Sequence, residues 1–365
     1  MTRNVFSGGG AAICVGLLLA LSVGGCGRKP AGHTAKPAAP AGKHIRVAVV
    51  TDTGGIGDKS FNEGAWRGAQ WAKEQLGVEI KLVESREHAD YPRNLRELAE
   101  AGYDLIFAVG MLMKDALVEV APQYPNTKFA IVDVDSSGLP NVVGIEFREQ
   151  EGGYLAGVLA GLVTKTGKLG FVGGMKLEPV QRFAIGYEAG ARTTRPDVRV
   201  VTGYTDSFTD VEKGKQLAAG QFDAGADIVF HGSGRCGLGV IEEANERGPG
   251  RYAIGVDSDQ DYLGCADPEH PQPPGRVLTS VLKRVDNVVL GICRETVEGK
   301  FKAGDRRFGV AEGGLALTDM KYTRQDLRPE WIETLGNVRR MLEAGEIAVP
   351  STQPELRAFQ PPTVR

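Results

Sequence analysis

His44-Ile45-Arg46-Val47-Ala48-Val49-Val50, followed by Thr51-Asp52-Thr53-Gly54-Gly55-Ile56-Gly57-Asp58-Lys59-Ser60-Phe61-Asn62, decides how the rest of this 365-residue chain is read. The first seven residues form a β-branched run of strand length. A glycine-rich loop follows, residues 62–76 carry apolar side chains at helical spacing, and 79–83 returns to a strand pattern. Strand, loop, helix and strand make one parallel crossover unit. Working outward, strands are predicted at 105–109, 128–132, 142–145, 169–172, 199–202, 228–230 and 252–256, with further candidates at 277–280 and 308–310. Helical spacing occupies 91–101, 114–121, 152–164, 185–192, 210–224, 239–247 and 285–297. Such alternation predicts parallel sheets wound on both faces, and the number of strands divides more easily into two sheets than one. A first crossing between lobes is expected within 140–151.

Composition narrows the function. Hydrophobic residues at 42% and charged residues at 24% exclude a disordered tail protein and allow a large core. A net charge of −3 with 7% aromatics gives neither a basic field nor a stacking surface for nucleic acid. Ligands of open α/β sheets bind beyond the carboxyl ends of the strands. There the sequence offers the Asp52 to Asn62 loop, Gly110, Asp133 and Asp135, Gly173 and Gly174, His231 through Gly239, and Asp257-Ser258-Asp259-Gln260. These are carboxylates, amides and glycines without an evident nucleophile and base. No catalytic residue is assigned.

Several motifs fail. Lys59 follows Asp58 instead of glycine, so the phosphate-cradling G-x-x-x-x-G-K-[ST] spacing is absent. The five histidines form no metal spacing, and neither C-x-x-C nor G-x-S-x-G occurs; no metal and no cofactor are expected. Gly232-Ser233-Gly234-Arg235-Cys236-Gly237 does satisfy G-x-G-x-x-G after a predicted strand, with Asp257 about twenty residues on. Against a dinucleotide site, the match lies deep in the chain instead of opening the first βαβ unit.

The amino-terminal residues read as an export signal. Arg3 precedes an apolar run at 11–23, and Val23-Gly24-Gly25-Cys26 resembles the lipobox of bacterial lipoproteins, which implies lipidation of Cys26. Residues 1–26 are then the signal and 27–43, with Pro30, Pro37 and Pro40, a disordered tether. Attachment to the cell membrane by lipid, facing the periplasm or exterior, is the expected location. In that compartment Cys236 and Cys265, both in glycine-containing loops, are the candidate disulfide, and Cys293 is read as core.

Asp52-Thr53-Gly54-Gly55 with Asp58-Lys59-Ser60-Phe61-Asn62 resembles the basic membrane protein family, the purine nucleoside receptor lipoproteins of ABC transporters. So do Phe107-Ala108-Val109-Gly110, Phe129-Ala130-Ile131-Val132-Asp133, Gly170-Phe171-Val172-Gly173-Gly174-Met175, Ile254-Gly255-Val256-Asp257-Ser258-Asp259-Gln260 and Thr279-Ser280-Val281-Leu282-Lys283-Arg284, in the family's order, over residues 45–346. The resemblance implies a type I periplasmic-binding-protein fold: two doubly wound parallel-sheet lobes with a hinge, closing on a purine nucleoside delivered to a membrane permease. It implies a first lobe of 44–147 plus 281–304, a second of 148–280 plus 305–350, and a tail of 351–365. By the same resemblance Asp52, Asp257 and Lys283 grip ribose, Phe61 stacks on the base, and Asn62 and Asp133 bond its edge.

The residue types suit those roles, since carboxylates accept from vicinal hydroxyls and an aromatic ring covers an apolar base face. Phe230 is either a second stacking plate or strand core. Asp58 is read first as a helix cap, and Lys283 as sitting at a helix start. The chain departs from the family's usual G-G-T-G at Arg235 and Cys236, and residues 264–274 read as an insertion. A nucleoside hydrolase with a calcium-bound water at the first loop, and a ligand sensor that does not transport, are the competing readings.

Overall fold

A computed structural model describes residues 44–364. The expected signal, tether and lipidation at Cys26 lie outside the described residues. In chain order the first elements are β1 (Arg46–Thr51), α1 (Phe61–Leu76), β2 (Glu79–Glu84), α2 (Asp90–Glu100), β3 (Leu105–Val109), α3 (Lys114–Val120), β4 (Lys128–Val132) and β5 (Val142–Phe147). Next come α4 (Glu149–Val163), β6 (Lys168–Gly173), α5 (Glu178–Thr194), β7 (Arg199–Tyr204), α6 (Val211–Asp223), β8 (Ile228–Gly232), α7 (Cys236–Arg247), β9 (Tyr252–Asp257) and β10 (Val277–Lys283). The chain ends with α8 (Val285–Val297), β11 (Gly304–Phe308), β12 (Leu315–Leu317), α9 (Pro329–Glu343) and α10 (Gln353–Ala358).

These strands form two six-stranded sheets, ordered β11-β5-β4-β3-β1-β2 and β12-β10-β9-β8-β6-β7. Every pairing in the first is parallel, and in the second only β12 runs against its neighbour. All five residues of β3 and of β8 are buried, as strands covered by helices on both faces must be. Each sheet has its own apolar core, and the result is two α/β lobes.

Chain crossings depart from the expected boundaries. β10 continues through Lys283 in the second sheet, so Lys283 ends a strand and does not start a helix, and the chain returns to the first lobe at Arg284 instead of 281. Helix α8 then packs Val285, Val289 and Ile292 into the first core, and β11 pairs with β5 as far as Phe308. The first lobe therefore keeps residues to 308, beyond the expected 304. Within the expected tail of 351–365, α10 buries Leu356, and Phe359 meets the Tyr154 ring edge-on at 6.2 Å.

Helices α4 and α5 face each other through glycines. Gly153, Gly157 and Gly161 recur every fourth residue on α4, opposite Gly186 and Gly190 on α5. A Cβ at Gly157 would overlap the Tyr187 carbonyl oxygen, backbone that cannot swing aside. Gly157→Ala is accordingly expected to force the helices apart and to destabilise the protein by about 1–3 kcal/mol, read as a lower thermal midpoint. An unchanged midpoint would show that the pair tolerates separation. The contact matters to the site because α4 begins at Glu149, where the two sheets' carboxyl ends meet.

Candidate functional site

Asp58 builds the first wall. Its Oδ1 accepts from Ser60 N at 3.0 Å and Glu63 N at 3.2 Å, and its Oδ2 from Asn62 N at 2.8 Å, anchoring the start of α1. That fixes Phe61 and Asn62, the first two residues of α1, beside the end of β1. Asn62 Nδ2 donates to Asp52 Oδ1 at 2.9 Å, and Gly54 N donates to the same oxygen. Gly110 closes this corner with φ of 113°, a left-handed conformation, and a Cβ there would sit 3.0 Å from Asp52 Oδ2 and 3.6 Å from the Phe61 ring. Burial pushes the Asp52 carboxyl up to about 6, against the lowering effect of its bonds from Asn62 and Gly54.

The second wall centres on Lys283 at the end of β10. Its ammonium lies 2.6 Å from Asp133 Oδ1 and 3.0 Å from Glu149 Oε1, with the rings of Phe61, Phe147 and Phe183 between 5.0 and 5.9 Å away. Burial alone would lower this lysine's pKa, but Asp133, Glu149 and Asp257 outweigh it and hold the ammonium charged. Glu149 is fully buried, which raises its pKa, and its Oε2 meets Arg182 Nε at 2.9 Å. Asp257 ends β9, and burial pushes it up to about 7 although Lys283 and a hydrogen bond from Ser60 Oγ favour its ionised form. Asp133 and Asp257 both hold left-handed backbone, with φ of 71° and 63°, a strain that accumulates where side chains are aimed for function.

One cavity, open at its mouth, joins these groups. Asp52, Phe61, Asn62, Asp133, Asp257 and Lys283 all line it. Phe230 does not. It is fully buried in the second core, against Phe171, Phe183 and Tyr187 at 5.2–5.9 Å, so the stacking-plate reading is corrected to core. The second lobe presents Phe183 and Phe208 to the cavity instead. Among these lining groups Asp52 accepts from Asn62, and Asp133 pairs with Lys283. Asp135 turns away to Lys114 at 2.9 Å.

Cys236 and Cys265 are both buried free thiols, so the expected disulfide is not formed. Cys236 begins α7 with its Sγ 3.3 Å from the Ser207 carbonyl, facing a different loop from the one that bears Cys265. The glycine motif at 232–237 contributes Gly232, Gly234 and Arg235 to the cavity wall. The N–H groups of Arg235, Cys236, Gly237 and Leu238 already donate to the carbonyls of Phe208, Ser233, Gly234 and Arg235. They are not available to cradle a pyrophosphate. Gly237 packs against the His231 ring, whose pKa burial lowers to about 4.

Phe183, together with Arg182, is readable from the sequence as a residue that could reach the cleft, whereas Glu149 and Phe208 escaped the sequence reading. Phe208 follows the end of β7, and the strand-end rule, carried through to that strand, finds it. Glu149 reads as an ordinary acidic residue in the first turn of a helix, and only its burial beside Lys283 marks it.

Hydrogen bonds join the lobes at the cavity's edge: Ser60 Oγ to Asp257, Ser258 Oγ to the Ser60 carbonyl at 3.1 Å, and Gln260 Nε2 to the Lys59 carbonyl at 3.1 Å. Two α/β lobes enclosing a polar and aromatic cavity between their sheet ends define a solute-binding protein. The family model described as ABC transporter substrate-binding protein PnrA-like matches residues 45–340, and the chain belongs to that family. It is 36% identical over 320 residues to basic membrane protein A of Borreliella burgdorferi, covering 86% of this chain and 90% of that one. To the ABC transporter nucleoside-binding protein BmpA of Lactococcus lactis it is 37% identical over 284 residues, 75% of this chain and 81% of the relative. An ABC transporter solute-binding protein from Aeropyrum pernix superposes with a TM-score of 0.76 at 30% identity, covering 86% of this chain and 98% of that structure.

Proposed function

We propose that this protein captures a purine nucleoside between its lobes and delivers it, chemically unchanged, to the permease of an ABC importer, while lipid on Cys26 holds it at the outer face of the cell membrane. The observation that carries the reading is the pairing, in one cavity, of aromatic rings from both lobes with the Lys283 cluster and the Asp52–Asn62 pair. Phe61 and Phe208 supply apolar faces for a base, and the carboxylates and ammonium supply partners for ribose hydroxyls. The name of the Lactococcus lactis relative supports a nucleoside as ligand. In this reading Asp133, Asp257 and Lys283 serve the sugar, and Asp52 with Asn62 serves the base.

Titration calorimetry with guanosine, inosine and adenosine, against ribose and free bases, tests the claim. One-to-one binding of a nucleoside, recovered intact, is expected; no heat from any nucleoside overturns it. Phe61→Ala should weaken binding by roughly 5- to 150-fold, the equivalent of about 1–3 kcal/mol of base stacking. Unchanged affinity would remove Phe61 from the ligand's surroundings. Labelling with radioactive palmitate tests the anchor, which Cys26→Ser should abolish.

A further inference from the structure

Asn62 is 2% exposed, and its Nδ2 is committed to Asp52, which leaves Oδ1 as a buried acceptor with no donor among the described residues. The adjoining Asp52 Oδ1 already takes two bonds, and among the described residues no donor reaches its Oδ2. This corner therefore asks a ligand for donors. Arg235 makes the opposite demand. Its backbone N–H donates to the Phe208 carbonyl at 3.0 Å, which seats it beside that ring, and its exposed side chain lines the cavity. Of the two basic residues on the wall, Lys283 is occupied by Asp133 and Glu149, whereas the Arg235 guanidinium has no partner among the described residues.

We infer that the cavity selects 6-oxopurine nucleosides over adenosine, with Arg235 as the residue that determines this specificity. The inference rests on the nucleoside reading above. A 6-oxopurine offers N1–H, joined by the 2-amino group in guanine, as donors for Asp52 and Asn62, and O6 with N7 as acceptors for a guanidinium. Adenine reverses the middle of that edge: N1 turns a lone pair on the carboxylate, and the 6-amino group turns hydrogens on Arg235. A site built around hydrogen bonds rejects a ligand that leaves its buried groups unpaired.

Calorimetry on the full chain at pH 7.5 is the test, with guanosine, inosine and adenosine as probes for both the natural protein and Arg235→Ala. The side chain is exposed and unpartnered, so the variant should fold. The natural protein should prefer guanosine to adenosine by more than the roughly 5- to 150-fold given by a bidentate arginine–guanine contact alone, and the variant's ratio should fall by about that factor, keeping only the preference that Asp52 and Asn62 supply. Equal affinity of the natural protein for guanosine and adenosine overturns the inference while leaving the nucleoside reading intact. Loss of both affinities by one factor in Arg235→Ala also overturns it, since the residue would then be covering the ligand without reading it. Absence of heat from all three probes is the separate failure of the nucleoside reading itself.

Discussion

Lys283→Met is expected to abolish detectable nucleoside binding and to destabilise the protein by about 3–5 kcal/mol at pH 8. The side chain is only 2% exposed and neutralises Asp133 and Glu149 at 2.6 and 3.0 Å. Methionine fills nearly the same volume, so the loss is one of charge and not of packing. What remains is a buried group of carboxylates with Arg182 as the nearby cation at Glu149. The deficit should shrink at pH 5, where Asp257, raised by burial to about 7, takes up a proton and ceases to repel; burial raises Glu149 too, which acts in the same direction. Urea unfolding at both pH values checks this, and a variant as stable as the natural protein at pH 8 would refute the proposed role of the cluster. Adding Glu149→Gln to Lys283→Met should recover part of the lost stability, because one unpaired carboxylate is removed.

The β1 to α1 stretch was legible because everything that shapes it is local: a strand of branched residues, a glycine loop, then Asp58 capping the helix that carries Phe61 and Asn62. Lys283 was harder. Val281-Leu282-Lys283-Arg284-Val285 suits a strand end or a helix start equally, and the decision is made by pairing with β12, some thirty residues later in the chain. Phe230 failed for a different reason. A parallel strand is apolar on both faces, so its pattern cannot say which phenylalanine meets the cavity and which meets the core. The cysteines repeat the lesson at closer range. Two loops at strand ends can be neighbours while the first turn of α7 points Cys236 toward Ser207.

Asp257→Asn should make the protein more stable at pH 8 and leave it nearly unchanged near pH 4. Burial raises this carboxyl from an ordinary 3.8 to about 7, despite the attraction of Lys283 and the bond from Ser60. Between those values the folded protein holds a proton that the unfolded chain has released, so stability falls as pH rises from about 4 through 7. Three pKa units correspond to roughly 4 kcal/mol at most, and an amide that needs no ionisation escapes that loss. Asp52, raised to about 6, and Asp261, raised to about 7, act in the same direction, whereas His231, lowered to about 4, opposes them below its ordinary 6.5. Comparing variant with natural protein at each pH isolates Asp257 from the other three. Urea unfolding should show the two converging near pH 4 and separating by about 2–4 kcal/mol at pH 8; a variant less stable at pH 8 would mean that the ionised carboxylate holds the lobes together. The same substitution should weaken ribonucleoside binding at pH 8, because an amide oxygen accepts from a hydroxyl less strongly than a carboxylate does. Gain in stability with loss of affinity is the signature of a charge kept in the cavity for its ligand and against the interest of the fold.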